Sequence, residues 1–248
     1  MNCQIIILAA GNGSRMNSAL PKVMHEIGGK PMIEMVLANS KEVTDDIILV
    51  HSPQLYQYLH PYQHICKFAL QPNPQGTADA LHAALPLLDD NKVTAVIFGD
   101  NPFISSGIIH KLLDHLNKTN SSIVTLSFQR DNPSQYGRVV TDELGNFLKI
   151  VEFKKANEQE KQIKLCNSGI MAFGPGVVKK YLPHCLVKDE KDNSELYLTK
   201  MVEICTNHKE KVSYIISSEH DAVVGVNTKE ELLEANNIHL SDFMNTKE

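Results

Sequence analysis

Five short apolar runs rich in β-branched residues punctuate the chain: QIIILAA (4–10), DIILVHS (46–52), TAVIFGD (94–100), SIVTLSF (122–128) and VSYIISS (212–218). Between them, apolar residues recur with helical spacing over 31–40, 75–88, 105–116 and 196–208. A run with no polar alternation suits a strand covered on both faces, and neighbouring parallel strands need a crossover, usually a helix. The alternation therefore predicts an α/β fold: a Rossmann-like, mainly parallel twisted sheet with helices on both faces. The middle of the chain breaks the pattern. GRVVTDELGNFLKIVEFKK (137–155) reads as two short strands around the turn DELGN, which predicts a small antiparallel insertion.

A chain of 248 residues can bury a full core, and the expected organisation is one domain over 1–230 followed by a helical tail over 231–248. Polar connectors are read at 154–164 and 186–195, both too short to be domain linkers. No apolar run approaches the ~20 residues that span a bilayer, and residues 1–10 carry no basic leader or small-residue cleavage site, so a cytoplasmic protein without a membrane partner is expected. A net charge of −5 speaks against nucleic acid as a partner, since that needs a basic face. The five cysteines are odd in number and scattered without C-x-x-C, which predicts free thiols. The eleven histidines lack any H-E-x-x-H pairing, so His25, His51, His82 and His110 read as packing or surface residues rather than metal ligands.

The chemistry concentrates where strands end. LAAGNGSRMNSALPK (8–22) follows the first strand and holds two glycines, Arg15 and Lys22. It lacks the third glycine of a dinucleotide fingerprint and the G-K-[ST] of a P-loop. A glycine-rich turn after a buried strand can offer backbone N–H groups to phosphates, with Arg15 and Lys22 supplying charge; its plain alternative is a tight turn with two solvated cations. Asp100, at the carboxyl end of VIFGD, suits Mg²⁺, or else caps a helix beginning after Pro102. Asn227, after the last apolar segment, offers the same choice between metal ligand and N-cap. QPNPQGTADAL (71–81) brings Gln71, able to donate and accept along a base edge, to Gly76 and Thr77 at a helix start, or else is a plain loop with a helix cap at Thr77. Gly137, Glu152 and Asn167 lie at strand edges, where they could bond a sugar.

Taken in order, these segments resemble the sugar-1-phosphate nucleotidylyltransferases, most of all the N-terminal uridylyltransferase domain of the bifunctional bacterial enzymes that make UDP-N-acetylglucosamine, a cell-wall precursor. The pattern L-A-A-G-x-G-[ST]-R-M-x-S-x-x-P-K matches residues 8–22, and Gln71, Gly76-Thr77, Gly99-Asp100, Tyr136-Gly137-Arg138, Glu152, Asn167-Ser168-Gly169, Tyr197-Leu198-Thr199 and Gly225-Val226-Asn227 follow at family spacings, covering residues 3 to about 230. The resemblance implies that the backbone of Leu8, Ala9, Ala10 and Gly11, with Gln71, Gly76 and Thr77, holds the nucleotide. It implies that Arg15 and Lys22 grip phosphates as the catalytic cations and that Asp100 and Asn227 hold Mg²⁺. Gly137, Glu152 and Asn167, with Thr77 beside them, would line the sugar pocket. UTP and a sugar-1-phosphate are the implied partners, in a monomer or small homo-oligomer. Three positions depart from the pattern: Asn101 stands where G-D-V-P-L has valine, Asp79 replaces a usual histidine, and Lys200 replaces an aspartate after Y-L-T. Asn101 and Asp79 leave the sugar less defined than the reaction, since the phosphate and metal groups are retained; another nucleotide, another sugar-1-phosphate or a non-catalytic binding protein are the alternatives. Nothing after Asn227 resembles the hexapeptide repeats of a β-helix acetyltransferase, so no acetyltransferase activity is expected.

Overall fold

A computed structural model describes residues 2–133, 135–187, 195–218, 223 and 225–245, the side chains of 240–245 excepted. Eleven strands are present among them: β1 (Cys3–Leu8), β2 (Glu26–Ile27), β3 (Lys30–Pro31), β4 (Ile47–His51), β5 (Lys67–Leu70), β6 (Val93–Phe98), β7 (Ile123–Gln129), β8 (Gly137–Thr141), β9 (Phe147–Val151), β10 (Leu165–Phe173) and β11 (Val212–Ile216). The α-helices are α1 (Met32–Lys41), α2 (Pro53–Tyr56), α3 (Thr77–Ala84), α4 (Ser106–Thr119), α5 (Glu158–Lys161), α6 (Val177–Cys185), α7 (Lys200–Asn207) and α8 (Lys229–Asn245). All five apolar runs form strands, and each of the four helical patterns contains a helix.

The main sheet runs β11-β7-β10-β6-β1-β4-β5, with β8 and β9 branching from β10. The pairs β11–β7, β6–β1, β1–β4 and β4–β5 are parallel, and β10 alone on this path is reversed against both neighbours. Alternate residues of β1 feed two cores. Ile5 and Ile7 pack with α1 and α4 through Val36, Leu37, Leu112 and Leu113. Ile6 and Leu8 pack with α3, α6 and α7 through Leu81, Leu182 and Met201. Both faces of the sheet are thus covered, which explains why these strands read as unbroken apolar runs. All five cysteines are free and buried in these layers.

The hairpin expected at 137–155 is present as antiparallel β8 and β9, joined through Asp142, whose carboxylate accepts from the N–H groups of Leu144 and Asn146. Its partner β10 switches neighbours along its length. Cys166 and Asn167 pair with β8, and Met171–Phe173 pair with β6, across a register shift between Asn167 and Met171. Gly169 makes this bulge possible: its φ is +88°, and a Cβ there would lie 2.7 Å from the Phe98 ring. The helix α6 and the reversal of β10 are not marked in the sequence pattern. Of the connector at 186–195, residues 188–194 lie outside the described residues, as do 246–248 of the tail, whose helix α8 runs to Asn245. Among the described residues no helix is long and apolar enough to cross a membrane.

One polar junction ties the edge of the sheet to α6. Glu210 accepts from Ser122 Oγ (2.6 Å), Tyr181 Oη (2.5 Å) and Lys180 Nζ (3.0 Å), and these donors pull its carboxyl from the ordinary 4.5 down to about 2. A carboxylate favoured by the fold stabilises it above the unfolded value and loses that effect as pH falls through the folded one. Urea denaturation should therefore show Glu210→Gln less stable than the parent at pH 7, with the difference closing between about pH 4.5 and 2.

Candidate active site

The carboxyl ends of β1, β4, β5 and β6 point to one edge of the sheet, and the start of reversed β10 returns to that edge, where open α/β sheets bind ligands. The glycine-rich stretch leaves β1 there. Sheet bonding persists through its first residues, because Gly99 N–H donates to Leu8 O (3.0 Å) and Ala9 N–H donates to Val50 O (2.9 Å). The N–H groups of Ala10 and Gly11 then donate to no carbonyl among the described residues. Ahead of the turn, a Cβ on Gly11 would meet nothing within 4 Å. Gly13 has the opposite environment. Its φ is +57° and a Cβ would lie 2.7 Å from Lys22 Cβ, so this glycine lets the loop fold back onto the lysine.

That fold brings four side chains together. The Lys22 ammonium forms an ion pair with the Asp100 carboxylate and donates to Asn227 Oδ1 (2.9 Å). Arg15 Nη2 donates to the same Oδ1 (3.0 Å). Asn227 is held in this sense because its Nδ2 donates to Gly225 O (3.0 Å), turning the amide oxygen toward the two cations. Neither Asp100 nor Asn227 is a helix cap. Helix α4 is capped by Ser105, whose hydroxyl accepts from Ile108 N–H. Helix α8 is capped by Thr228, whose hydroxyl accepts from Glu231 N–H while Glu231 accepts from the N–H groups of Asn227 and Thr228. Asn101, one of the departures, is 3% exposed and donates to Val223 O (3.1 Å). With Val226 N–H on Asp100 O (2.8 Å), it draws the segment carrying Asn227 onto the end of β6. Its role is structural.

The second group gathers around Gly76. Its φ is +131°, and a Cβ placed on it would lie 2.5 Å from Leu196 O and 2.6 Å from Leu196 N, so the position admits no side chain. Leu196 O accepts from Ala78 N–H (2.8 Å), Leu196 N–H donates to Gln75 O (2.8 Å), and Leu198 N–H donates to Thr77 Oγ1 (2.9 Å). The Y-L-T segment is thereby docked on the start of α3. Gln71 is 3% exposed. Its Nε2 donates to Asp79 Oδ2 (2.5 Å) and, at 3.4 Å, to Gly76 O. A free donor and acceptor pair is therefore not what Gln71 presents; its nitrogen is engaged by the protein and its oxygen is not.

Glu152 follows β9 and accepts from Thr199 Oγ1 (2.6 Å). Burial raises its carboxyl above the ordinary range, with the Thr199 hydroxyl opposing. Gly137 lies beside it across the hairpin: a Cβ there would crowd Ile150 Cγ2 at 3.1 Å and sit in ordinary contact, 3.5 Å, with Glu152 Oε2. Asn167 pairs with Gly137 in the β10–β8 register, and its buried Oδ1 has no hydrogen-bond partner. Glu152 and Thr199 line a pocket of about 330 Å³ together with Lys149 and Lys200. The Arg15, Lys22, Asp100 and Asn227 cluster does not line it, so this pocket is separate from the cation cluster. Arg138, from the matched Y-G-R segment, is buried, with its guanidinium on Tyr136 O, on Lys161 O and over the Phe153 ring. It braces the hairpin. Thr199 and Asp79 are the site residues that sequence reasoning left without a role; the Y-L-T match and the departure at 79 were the available signals.

A family model for the MobA-like NTP transferase domain matches residues 5–161. The chain belongs to this family. Among curated relatives of this nucleotidyltransferase, the bifunctional protein GlmU of Syntrophomonas wolfei is 35% identical over 96% of the chain and 53% of the relative. That of Desulfotalea psychrophila is 38% identical over 92% of the chain and 68% of the relative, and that of Campylobacter fetus 38% over 91% and 51%. The nucleotidyltransferase chain thus spans about half the length of most of these relatives. A crystal structure from Bacillus anthracis, described as a putative glucose-1-phosphate thymidylyltransferase in complex with sucrose, superposes with a TM-score of 0.74 at 20% identity, covering 95% of this chain and 94% of that one. The two share the fold.

Proposed function

We propose that this nucleotidyltransferase transfers a uridylyl group from UTP to N-acetylglucosamine-1-phosphate, giving UDP-N-acetylglucosamine and pyrophosphate. The observation that carries the reading is the convergence of Arg15, Lys22, Asp100 and Asn227 beside the unengaged N–H groups of Ala10 and Gly11. In this reading the Ala10 and Gly11 N–H groups and the two cations hold the triphosphate. Gln71 and Gly76 meet the base. Glu152, Asn167 and the Gly137 edge meet the sugar, where the partnerless Asn167 Oδ1 would accept from a hydroxyl or acetamido N–H.

In-line attack of the sugar-phosphate oxygen on the α-phosphorus needs positioning and charge stabilisation more than covalent help, since a phosphate monoester is already nucleophilic near neutral pH. Lys22 and Arg15 orient the phosphates and stabilise the charge that builds on them. The donor set at Asp100 and Asn227 fits Mg²⁺: a carboxylate and an amide oxygen already face one cation, the Lys22 ammonium, and two protein oxygens with substrate phosphates are the usual holders of this ion. When bound, Mg²⁺ supplies charge that offsets repulsion between the nucleotide and sugar phosphates. Asp100→Asn and Asn227→Ala should each raise the Mg²⁺ concentration giving half-maximal rate by about tenfold or more, with melting close to that of the parent, because both lie outside the hydrophobic core. A metal titration unchanged in either variant would remove that residue from the metal site.

Glucose-1-phosphate, whose 2-hydroxyl can still donate to Asn167 Oδ1 but which lacks the acetyl methyl and carbonyl, should react more slowly than the N-acetylated substrate by roughly one to two powers of ten, reflecting ~1–3 kcal/mol for the contacts those groups would make. Steady-state comparison of the two sugars tests this, and equal kcat/KM would sink the sugar assignment.

A further inference from the structure

Gln71 sits at the carboxyl end of β5 with its side chain buried and its amide nitrogen committed twice over. One partner is Asp79 Oδ2 at 2.5 Å, the other Gly76 O at 3.4 Å. A carboxylate offers no proton under ordinary ionisation, so it can face the NH₂ end of an amide and not the carbonyl end. Asp79 is itself fixed. It is the third residue of α3, and the same Oδ2 accepts from Gln75 N–H (3.2 Å). The consequence is an amide that cannot rotate by half a turn without setting its carbonyl oxygen against both a carboxylate and a backbone carbonyl. Gln71 Oε1, which accepts no hydrogen bond among the described residues, is then what this side chain can present to a ligand.

We infer that Asp79 is a positioning residue for base choice: by fixing the Gln71 amide, it makes the site select a pyrimidine with an N–H on its Watson–Crick edge. The inference rests on the nucleotide reading of this site. Uracil carries a donor at N3, which an amide oxygen can accept. Cytosine carries an acceptor lone pair at N3, which would face that oxygen with no shared proton. An amide free to turn could serve either base, by offering its oxygen to one and its nitrogen to the other. The carboxylate at 79 removes the second option, at the position where the resembled family usually has a histidine.

Calorimetric titration of the full chain with UTP, CTP and N3-methyl-UTP, in Mg²⁺ and without sugar phosphate, tests the inference. The parent should bind UTP at least about tenfold more tightly than CTP, as expected when a buried acceptor would be left facing another acceptor. In Asp79→Ala the UTP-to-CTP ratio should fall to within about threefold, by weaker UTP and stronger CTP binding. Asp79→Asn retains an acceptor oxygen and should keep a ratio within about threefold of the parent's, a rescue that a purely structural role would not show. Should Asp79→Ala not fold, the unaltered chain still decides: N3-methyl-UTP, which lacks the donor, should bind at least about tenfold more weakly than UTP. Tight UTP binding with an equal affinity for CTP, or a ratio unchanged in folded Asp79→Ala, would overturn the inference and leave the proposed function standing. No binding of any of the three nucleotides by the parent would overturn both.

Discussion

Lys22→Ala should lower kcat/KM for uridylyl transfer by at least about a hundredfold, the effect of losing ~2.7–4 kcal/mol of charge stabilisation in the transition state. Lys22 is the hub of the cation cluster, touching both Asp100 and Asn227, and among the described residues no second lysine or arginine forms an ion pair with that carboxylate. Removing it leaves Asp100 without its counter-charge and the phosphates without their compact cation. The variant should stay folded with a lowered melting temperature, because the Lys22 side chain belongs to neither hydrophobic core but Asp100, only 14% exposed, loses its ion pair. Lys22→Arg should recover only part of the rate, since a planar fork does not occupy the place of a point charge. Unchanged kinetics in Lys22→Ala would make the loop structural.

Gly76→Ala should be among the most damaging single-methyl changes in the chain. Its Cβ would lie 2.5 Å from Leu196 O and 2.6 Å from Leu196 N, at a φ of +131° that side-chain-bearing residues rarely adopt. The backbone strain alone is worth ~1–3 kcal/mol and the overpacking a similar amount, so a loss of about 3 kcal/mol and a fall in melting temperature of roughly 6–12 °C are expected by thermal denaturation. Gly11→Ala provides the contrast. Among the described residues, nothing beyond its chain neighbours lies within 4 Å of the added methyl, so stability should hold, while UTP affinity should fall if the open space is where the nucleotide approaches the backbone. Loss of stability in Gly11→Ala with intact nucleotide binding would reverse that assignment.

The sheet was legible because burial on both faces writes itself into sequence as apolar runs: Ile5 to Leu8 alternate between two cores, and both cores demand apolar residues. The reversed direction of β10 was not, since a buried strand has the same composition whichever way it runs, and only the bulge at Gly169 hints at its change of partner. Among the site residues, Lys22, Asp100 and Asn227 could be named from their places after strands, but the choice between ligand and helix cap could not. That choice depends on Ser105 and Thr228 doing the capping, which is a matter of where two helices begin. Gln71 could be named for its chemistry, but its orientation depends on Asp79, eight residues on, and thus on the turn at Gly76. The short segment 196–199 carried a recognisable pattern, and its docking on Gly76 and Glu152 is a long-range pairing that no local signal records.

The most direct measurement is identification of the product formed by the purified chain from UTP and N-acetylglucosamine-1-phosphate, followed by ³¹P NMR with and without Mg²⁺. Equal amounts of UDP-N-acetylglucosamine and pyrophosphate are expected in the presence of the metal, abolished to background by Lys22→Ala. Release of inorganic phosphate without a nucleotide sugar, or no turnover at all of UTP with this sugar phosphate, would contradict the assignment.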